Sequence, residues 1–244
     1  MILSISYHNE ATAKRSYEQL AETTKENPMP VYVLDNNYPL IKDTMFIPNL
    51  CERLGFIYVN AGENLGLQGG YNFLLEIVKE LNSNVIMYDG DSYPVTNGWN
   101  TAMFECLNTQ PKVVWVSLQN DSTWAEFQNR EYINDTIGKH RVRVVTTPVI
   151  NSICAFKREW LNEIGGVFEP RKYYGGFEMA MFSKMNRLKH FWVFLSDFSE
   201  QRNEIPSDTI YTEYKIKYAH RNMNMSFEEY VKRVDLHGID NAIS

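Results

Sequence analysis

Short apolar, β-branched runs alternate in this chain with longer stretches whose apolar positions recur every three or four residues. That is the pattern of a parallel sheet covered by helices, and it sets the class as α/β. Ile2 to Tyr7 reads as a first strand, followed by Asn9 as a helix N-cap and an amphipathic stretch from Ala11 to Thr24. Val31 to Leu34 gives a second strand, Met45 to Leu54 a helix and Phe56 to Val59 a third strand before a Gly-rich loop, Ala61 to Gly70. In the next helix Phe73, Leu74, Ile77, Val78 and Leu81 fall on one face, which the spacing predicts to be buried. Val85 to Tyr88 is a fourth strand running into Asp89-Gly90-Asp91, and Gly98 to Leu107 is helical before the strand Val113 to Leu118.

Gln119 to Gly138 is polar and without period, which reads as a long surface loop or lid. Strands follow at Arg141 to Thr147 and Ile150 to Phe156, then a short helix from Arg158 to Glu163 ended by Gly165-Gly166. Phe177 to Leu188 is a further helix and Phe191 to Leu195 a last strand. In the tail, Ser226 and Glu229 have the spacing of a capping box, so a C-terminal helix is expected to pack on the body.

The 244 residues, 44% of them hydrophobic, suffice for one large core. A net charge of −6 argues against a protein that coats nucleic acid with its whole surface, yet Lys139 to His190 holds ten Lys or Arg against four Glu and no Asp. Cys51, Cys106 and Cys154 are odd in number and far apart, so neither a disulfide framework nor a zinc knuckle is encoded. No stretch approaches the roughly 18 apolar residues of a membrane span. The expectation is a soluble, cytoplasmic protein.

Asp89-Gly90-Asp91 places two carboxylates at a strand end, where open α/β sheets bind ligands. Oxygen donors of this kind suit Mg2+ or Mn2+ shared with substrate phosphates, although Asp-Gly is also a common turn dipeptide. Asp35 ends the second strand, where an acid can accept from a ribose or can close an Asx turn. The loop Asn64-Leu65-Gly66-Leu67-Gln68-Gly69-Gly70 lacks the Lys-Ser/Thr of a P-loop and the spacing of a dinucleotide fingerprint, so NTPase and dehydrogenase chemistry both recede. Glu178 opens a helix, a position that suits the helix dipole and equally a general base. Ser152 and Cys154 sit without a GxSxG elbow, which disfavours hydrolase chemistry. No two of His8, His140, His190, His220 and His237 have metal-ligand spacing, and His220 is the candidate for a third ligand.

Taken in order these pieces resemble the family 2 glycosyltransferases of the GT-A type, across Ile2 to Leu195. The blocks are Ile5-Ser6-Tyr7-His8-Asn9, then Val33-Leu34-Asp35-Asn36-Asn37, then Asn64-Leu65-Gly66 with Gly69-Gly70 and Asn72. They continue with Met87-Tyr88-Asp89-Gly90-Asp91 followed by Pro94 and Gly98-Trp99, and end with Phe156 through Gly165-Gly166 to Gly176-Phe177-Glu178. The last block departs from the family, which carries a Glu-Asp pair where this chain has Phe177-Glu178.

The resemblance implies a GT-A fold, with a mostly parallel central sheet flanked by helices and a helical C-terminal tail. Residues 1–200 would form the catalytic domain, with a donor half over 1–99 and an acceptor half over 100–200, and 201–244 a helical extension packed on it. A nucleotide-diphosphate sugar, a UDP-sugar first among the options, would be bound by Tyr7, Asn9, Asp35, Asn64, Gly66, Gly70, Asn72 and Asp89. A divalent metal, Mn2+ or Mg2+, would be held by Asp89 and Asp91 with His220, and Glu178 would take the proton of an acceptor hydroxyl in an inverting displacement. The acceptor would be a soluble glycan or a hydroxymethylated DNA base, with Trp124, Tyr132, Tyr173 and Tyr174 available for stacking. A nucleotidyltransferase, or a non-catalytic sugar-binding protein of the same fold, is the alternative.

Overall fold

The computed structural model describes residues 1–119, 132–147, 152–167, 177–202, 209–214 and 225–238. β1 (Ile2–Ser6) is buried along its whole length and lies inside a sheet of ten strands among the described residues. β2 (Val31–Asp35) and β3 (Ile57–Asn60) follow on one side of it, both parallel, and β4 (Val85–Asp89) lies parallel on the other. Beyond β4 the order is β9 (Ile153–Phe156), β6 (Val113–Gln119), β10 (Phe191–Arg202), β8 (His140–Val144) and β7 (Ile133–Ile137). β9 and β8 run against the other seven strands of this path, so the sheet is mostly parallel in direction with two reversed strands in its second half. β5 (Ser92–Pro94) pairs antiparallel with the far end of β10.

Alternation along the strands feeds two cores, because successive side chains of a strand point to opposite faces. On one face Leu3 and Ile5 pack with Tyr71 and Leu74 of α3 (Gly66–Ile77), Trp160 of α5 (Arg158–Ile164) and Met181, Phe182 and Met185 of α6 (Phe177–Arg187). On the other, Ile2, Val31 and Val33 pack with Tyr17 and Leu20 of α1 (Glu10–Thr24), Leu50 of α2 (Phe46–Leu54) and Met103 and Leu107 of α4 (Trp99–Thr109). Across the β6–β10 seam, Trp115 and Trp192 stack with ring centroids 3.8 Å apart, and the Trp192 indole N–H donates to Ser117 Oγ at 2.9 Å. A third cluster joins Tyr38, from the loop after β2, to Tyr211 and Tyr214 of α7 (Thr209–Tyr214) and Phe227 and Tyr230 of α8 (Phe227–His237).

Several element ends differ from the sequence expectation. α3 begins at Gly66, inside the expected Gly-rich loop, and its buried face is Tyr71, Leu74, Leu75 and Val78, while Ile77 and Leu81 are 46% and 50% exposed. Gly70 causes the shift: a Cβ there would lie 2.7 Å from Ile5 Cδ1 and 3.0 Å from Leu34 Cδ2, so the helix rests on the sheet through this bare position. The chain then tightens into a 3-10 turn over Lys79–Leu81, which changes the helical phase. The polar stretch expected as one loop holds β7, whose pattern INDTI buries only Ile137; residues 120–131 lie outside the described residues. β10 continues to Arg202, well past Leu195, because its polar end pairs with β5. Asn9 caps α1 by accepting from Thr12 N at 2.9 Å, and the Ser226–Glu229 capping box forms on α8.

Candidate functional site

The C-terminal ends of β1, β2 and β4 meet at one edge of the sheet, with Ile5 opposite Asp89 and Ser6 opposite Asp35. β4 delivers Asp89 there, and the turn through Gly90 brings Asp91 back under the surface, 7% exposed, before β5 begins. Gly90 lies against β1: a Cβ on it would be 3.0 Å from the Ile5 carbonyl oxygen and 3.5 Å from His8 Cδ2. This close approach brings His8, two residues beyond the end of β1, to Asp89, with Nε2 to Oδ1 at 3.8 Å.

His8, Asp89 and Asp91 each offer a ligand atom, and those atoms lie within 4.8 Å of one another. Two carboxylate oxygens and an imidazole nitrogen make a donor set for a divalent cation of the Mn2+ type. His8 is 4% exposed and its Nδ1 is buried without a hydrogen-bond partner among the described residues, so this ring has no other polar engagement that would explain its burial. Beside the pair, the Tyr71 hydroxyl is pushed well above its ordinary pKa, first by burial and then by the charges of Asp89 and Asp91, so it stays a neutral phenol.

Asp35 stands at the same edge on β2. Its carboxylate accepts from Asn37 N at 3.0 Å and from the Tyr58 hydroxyl at 3.4 Å, and burial holds its pKa above the usual range in spite of those bonds. Asn36 ties three segments together: its N–H donates to Ser6 O, its Oδ1 accepts from Leu65 N at 2.8 Å, and its amide reaches Gly66 O. Asn64 Oδ1 accepts the Gly66 N–H at 2.8 Å, so the first amide of α3 is taken up within the loop. Asn72 clamps the backbone of Val167 from both sides, Oδ1 accepting from its N–H and Nδ2 donating to its carbonyl, each at 2.8 Å.

Asp35 and Asp89 thus end neighbouring strands with Asp91 one turn further on, and Asn36 ties the Asn64–Gly66 loop to β1, whereas the Asn9 side chain caps α1, Asn64 is held by Gly66 and Glu228, Tyr7 donates to Glu228, Gly70 is buried against the sheet and the Asn72 amide is held by Val167. Glu178 opens α6, whose Phe182 packs edge-on against Trp192 of β10. His220 lies outside the described residues. Two residues escaped the reading of the sequence. His8 did so because the metal group joins neighbouring strands some eighty positions apart in the chain, beyond any local spacing. Glu228 of α8 is the other: its Oε1 accepts from the Tyr7 hydroxyl at 2.7 Å and from Asn64 Nδ2 at 2.8 Å. In the second half of the sheet, part of the local basic excess is matched by acids from elsewhere, Arg141 by Asp197 and Lys139 by Glu105.

No protein-family profile and no curated protein matches the sequence. Solved structures do match the fold. The mannosyltransferase PcManGT from Pyrobaculum calidifontis, in complex with GDP-Man and Mn2+, superposes with a TM-score of 0.64 at 15% identity over 99% of this chain and 72% of its own. GalNAc-T7 with UDP, GalNAc and Mn2+ gives 0.64 at 10% identity, over 97% of this chain and 50% of its own. S. aureus TarS 1-349 with UDP-GlcNAc gives 0.57 at 15% identity, over 99% of this chain and 71% of its own. The architecture is thus the GT-A fold. Among the described residues no helix is long and apolar enough to cross a membrane.

Proposed function

We propose that this protein is a metal-dependent glycosyltransferase that moves a sugar from a nucleotide-diphosphate sugar to a hydroxyl acceptor. The observation that carries this reading is the grouping of His8, Asp89 and Asp91 at the strand ends of a fold whose solved examples bind GDP-Man, UDP or UDP-GlcNAc. Residues 1–99 are the donor half and 100–200 the acceptor half, with 201–244 a C-terminal extension whose described helices α7 and α8 meet Tyr7 and Tyr38. Asp35 accepts from the nucleoside, and Asp89, Asp91 and His8 hold the cation. When bound, the cation stabilises the negative charge that grows on the departing diphosphate. The imidazole in the set favours Mn2+ over Mg2+.

Glu178, at the start of α6, takes the acceptor hydroxyl proton as the oxygen attacks the anomeric carbon. The bond to the diphosphate breaks with its electron pair leaving on phosphate, and a single displacement of this kind inverts the anomeric centre. The acceptor hydroxyl is that of a soluble glycan or of a hydroxymethylated DNA base. In that half Arg143 lies 5.2 Å from the centroid of the Tyr132 ring and donates to Gln119 Oε1, pairing a cation with an aromatic ring.

Release of nucleoside diphosphate from a panel of UDP- and GDP-sugars, with Mn2+ and with EDTA, tests the reading. Asp91→Asn is expected to lower Mn2+-dependent release by at least about a hundredfold, since a cation supplies several kcal/mol of charge stabilisation. A wild-type protein that neither binds nor turns over any donor with Mn2+ present would refute it and leave a non-catalytic binding protein of the same fold.

A further inference from the structure

Glu228 is separated from Tyr7 by 221 positions and from Asn64 by 164, yet one of its carboxylate oxygens accepts from both. Tyr7 directly precedes His8 of the metal group, and Asn64 fixes the first turn of α3 through Gly66. Apolar packing already seats the extension here: the Tyr7 ring meets Tyr38, Tyr211 and Phe227 edge-on at 5.1, 6.2 and 6.2 Å, and the His8 ring meets Tyr211 at 5.8 Å. Those ring contacts leave the polar ends of Tyr7 and Asn64 to another partner. A half-buried carboxylate costs desolvation and is recovered only when its donors stand at the right places, so Glu228 adds a geometric condition that the aromatic cluster lacks. Its two donors come from the loops after β1 and before α3, both of which form the donor edge of the sheet.

We propose that Glu228 is a positioning residue of the donor site: by pinning Tyr7 and Asn64 it fixes the loops after β1 and before α3, so that donor affinity depends on the docked C-terminal extension. The proposal rests on the glycosyltransferase reading above. Once the pin is lost, the loops spend part of their time displaced, and apparent affinity falls by the fraction of competent molecules.

Titration calorimetry with UDP and with GDP, each in saturating Mn2+, tests this on wild type, Glu228→Gln, Glu228→Asp and Tyr7→Phe. Hydrogen exchange over residues 209–214 and 225–238 reports docking, and the melting temperature reports folding. Glu228→Gln is expected to raise the nucleotide Kd about tenfold, the scale of one charge-assisted hydrogen bond. It should also speed exchange in the extension and, for a donor that turns over, raise KM with little change in kcat. Tyr7→Phe added to Glu228→Gln should cost less than the sum of the single changes, because both remove one shared contact. If Glu228→Gln fails to fold, Tyr7→Phe and Glu228→Asp carry the comparison. Faster exchange with an unchanged nucleotide Kd would overturn the proposal and leave the extension as a structural cover. A wild type that binds neither nucleotide in Mn2+ would instead overturn the donor reading, and the proposal with it.

Discussion

A single missing side chain sets the spacing of the metal group. Gly90 does not need a left-handed backbone; it needs the space that a Cβ would fill, 3.0 Å from a main-chain oxygen of β1 that has no rotamer to yield. In Gly90→Ala the turn must therefore lift from β1, carrying Asp89 and Asp91 away from His8. The expected result is a roughly tenfold weaker Mn2+ affinity, about 1.4 kcal/mol, measurable by titrating Mn2+ and following the electron paramagnetic resonance of the free ion. An unchanged affinity would mean that the cation is held without His8. At this scale the sequence is legible where ligands are adjacent, as in Asp89-Gly90-Asp91, and silent where the sheet supplies the neighbour, as with His8. The Asx turn at Asp35 and Asn37 could be anticipated from residue type alone.

Among the elements, α3 shows how packing overrides periodicity. Its apolar residues allow more than one buried face, and the choice falls to Gly70, whose contact with Ile5 and Leu34 is invisible without the sheet. From the same helix Asn72 reaches Val167, beyond the end of α5 and next to Gly166, whose own Cβ would lie 2.7 Å from Asn72 Oδ1. This clamp holds Val167, the last described residue before α6. Asn72→Ala leaves a backbone N–H and carbonyl without these partners, which costs about 2 kcal/mol. The melting temperature should fall by roughly 4–8 °C for a chain of this size. Mn2+ affinity should persist, because the metal group lies on β1 and the β4–β5 turn, while turnover declines; a fall in Mn2+ affinity equal to the fall in turnover would show that the clamp acts on the whole edge. Two further misreadings, β7 and the far half of β10, share one cause: their polar residues leave little apolar alternation to read.

For the molecule as a whole, the body and its extension are joined at a titratable contact. Burial pushes the Glu228 carboxyl upward, yet hydrogen bonds from Asn64, Tyr7, its own helix N–H and Ser226 bring it below the ordinary glutamate value. A depressed folded pKa adds stability that is fully present above the unfolded value of about 4.3 and is lost as pH falls through the folded one. Docking of the extension is therefore expected to weaken as pH falls below the ordinary glutamate range, and Glu228→Gln should flatten that part of the melting-temperature profile. An unchanged profile in Glu228→Gln would assign the acid sensitivity to other carboxyls. Asp35 works in the opposite sense, its pKa raised by burial, so its ionised form costs stability at higher pH. The α/β class and the succession of the first four strands along the chain follow from the hydrophobic pattern, whereas the docking of α8 joins an aromatic cluster to one glutamate that meets two distant loops, which no local pattern encodes.

That seating also has an order in time. A ribosome completes β1, β4 and the rest of the sheet before it reaches α8, which ends about 35 residues after β10, or roughly two to seven seconds at ordinary elongation rates. The groups that could hold a cation, His8, Asp89 and Asp91, are therefore all synthesised more than a hundred residues before Glu228. Chain order thus separates two events, the synthesis of the His8, Asp89 and Asp91 group and the arrival of the helix whose Glu228 meets the loops after β1 and before α3.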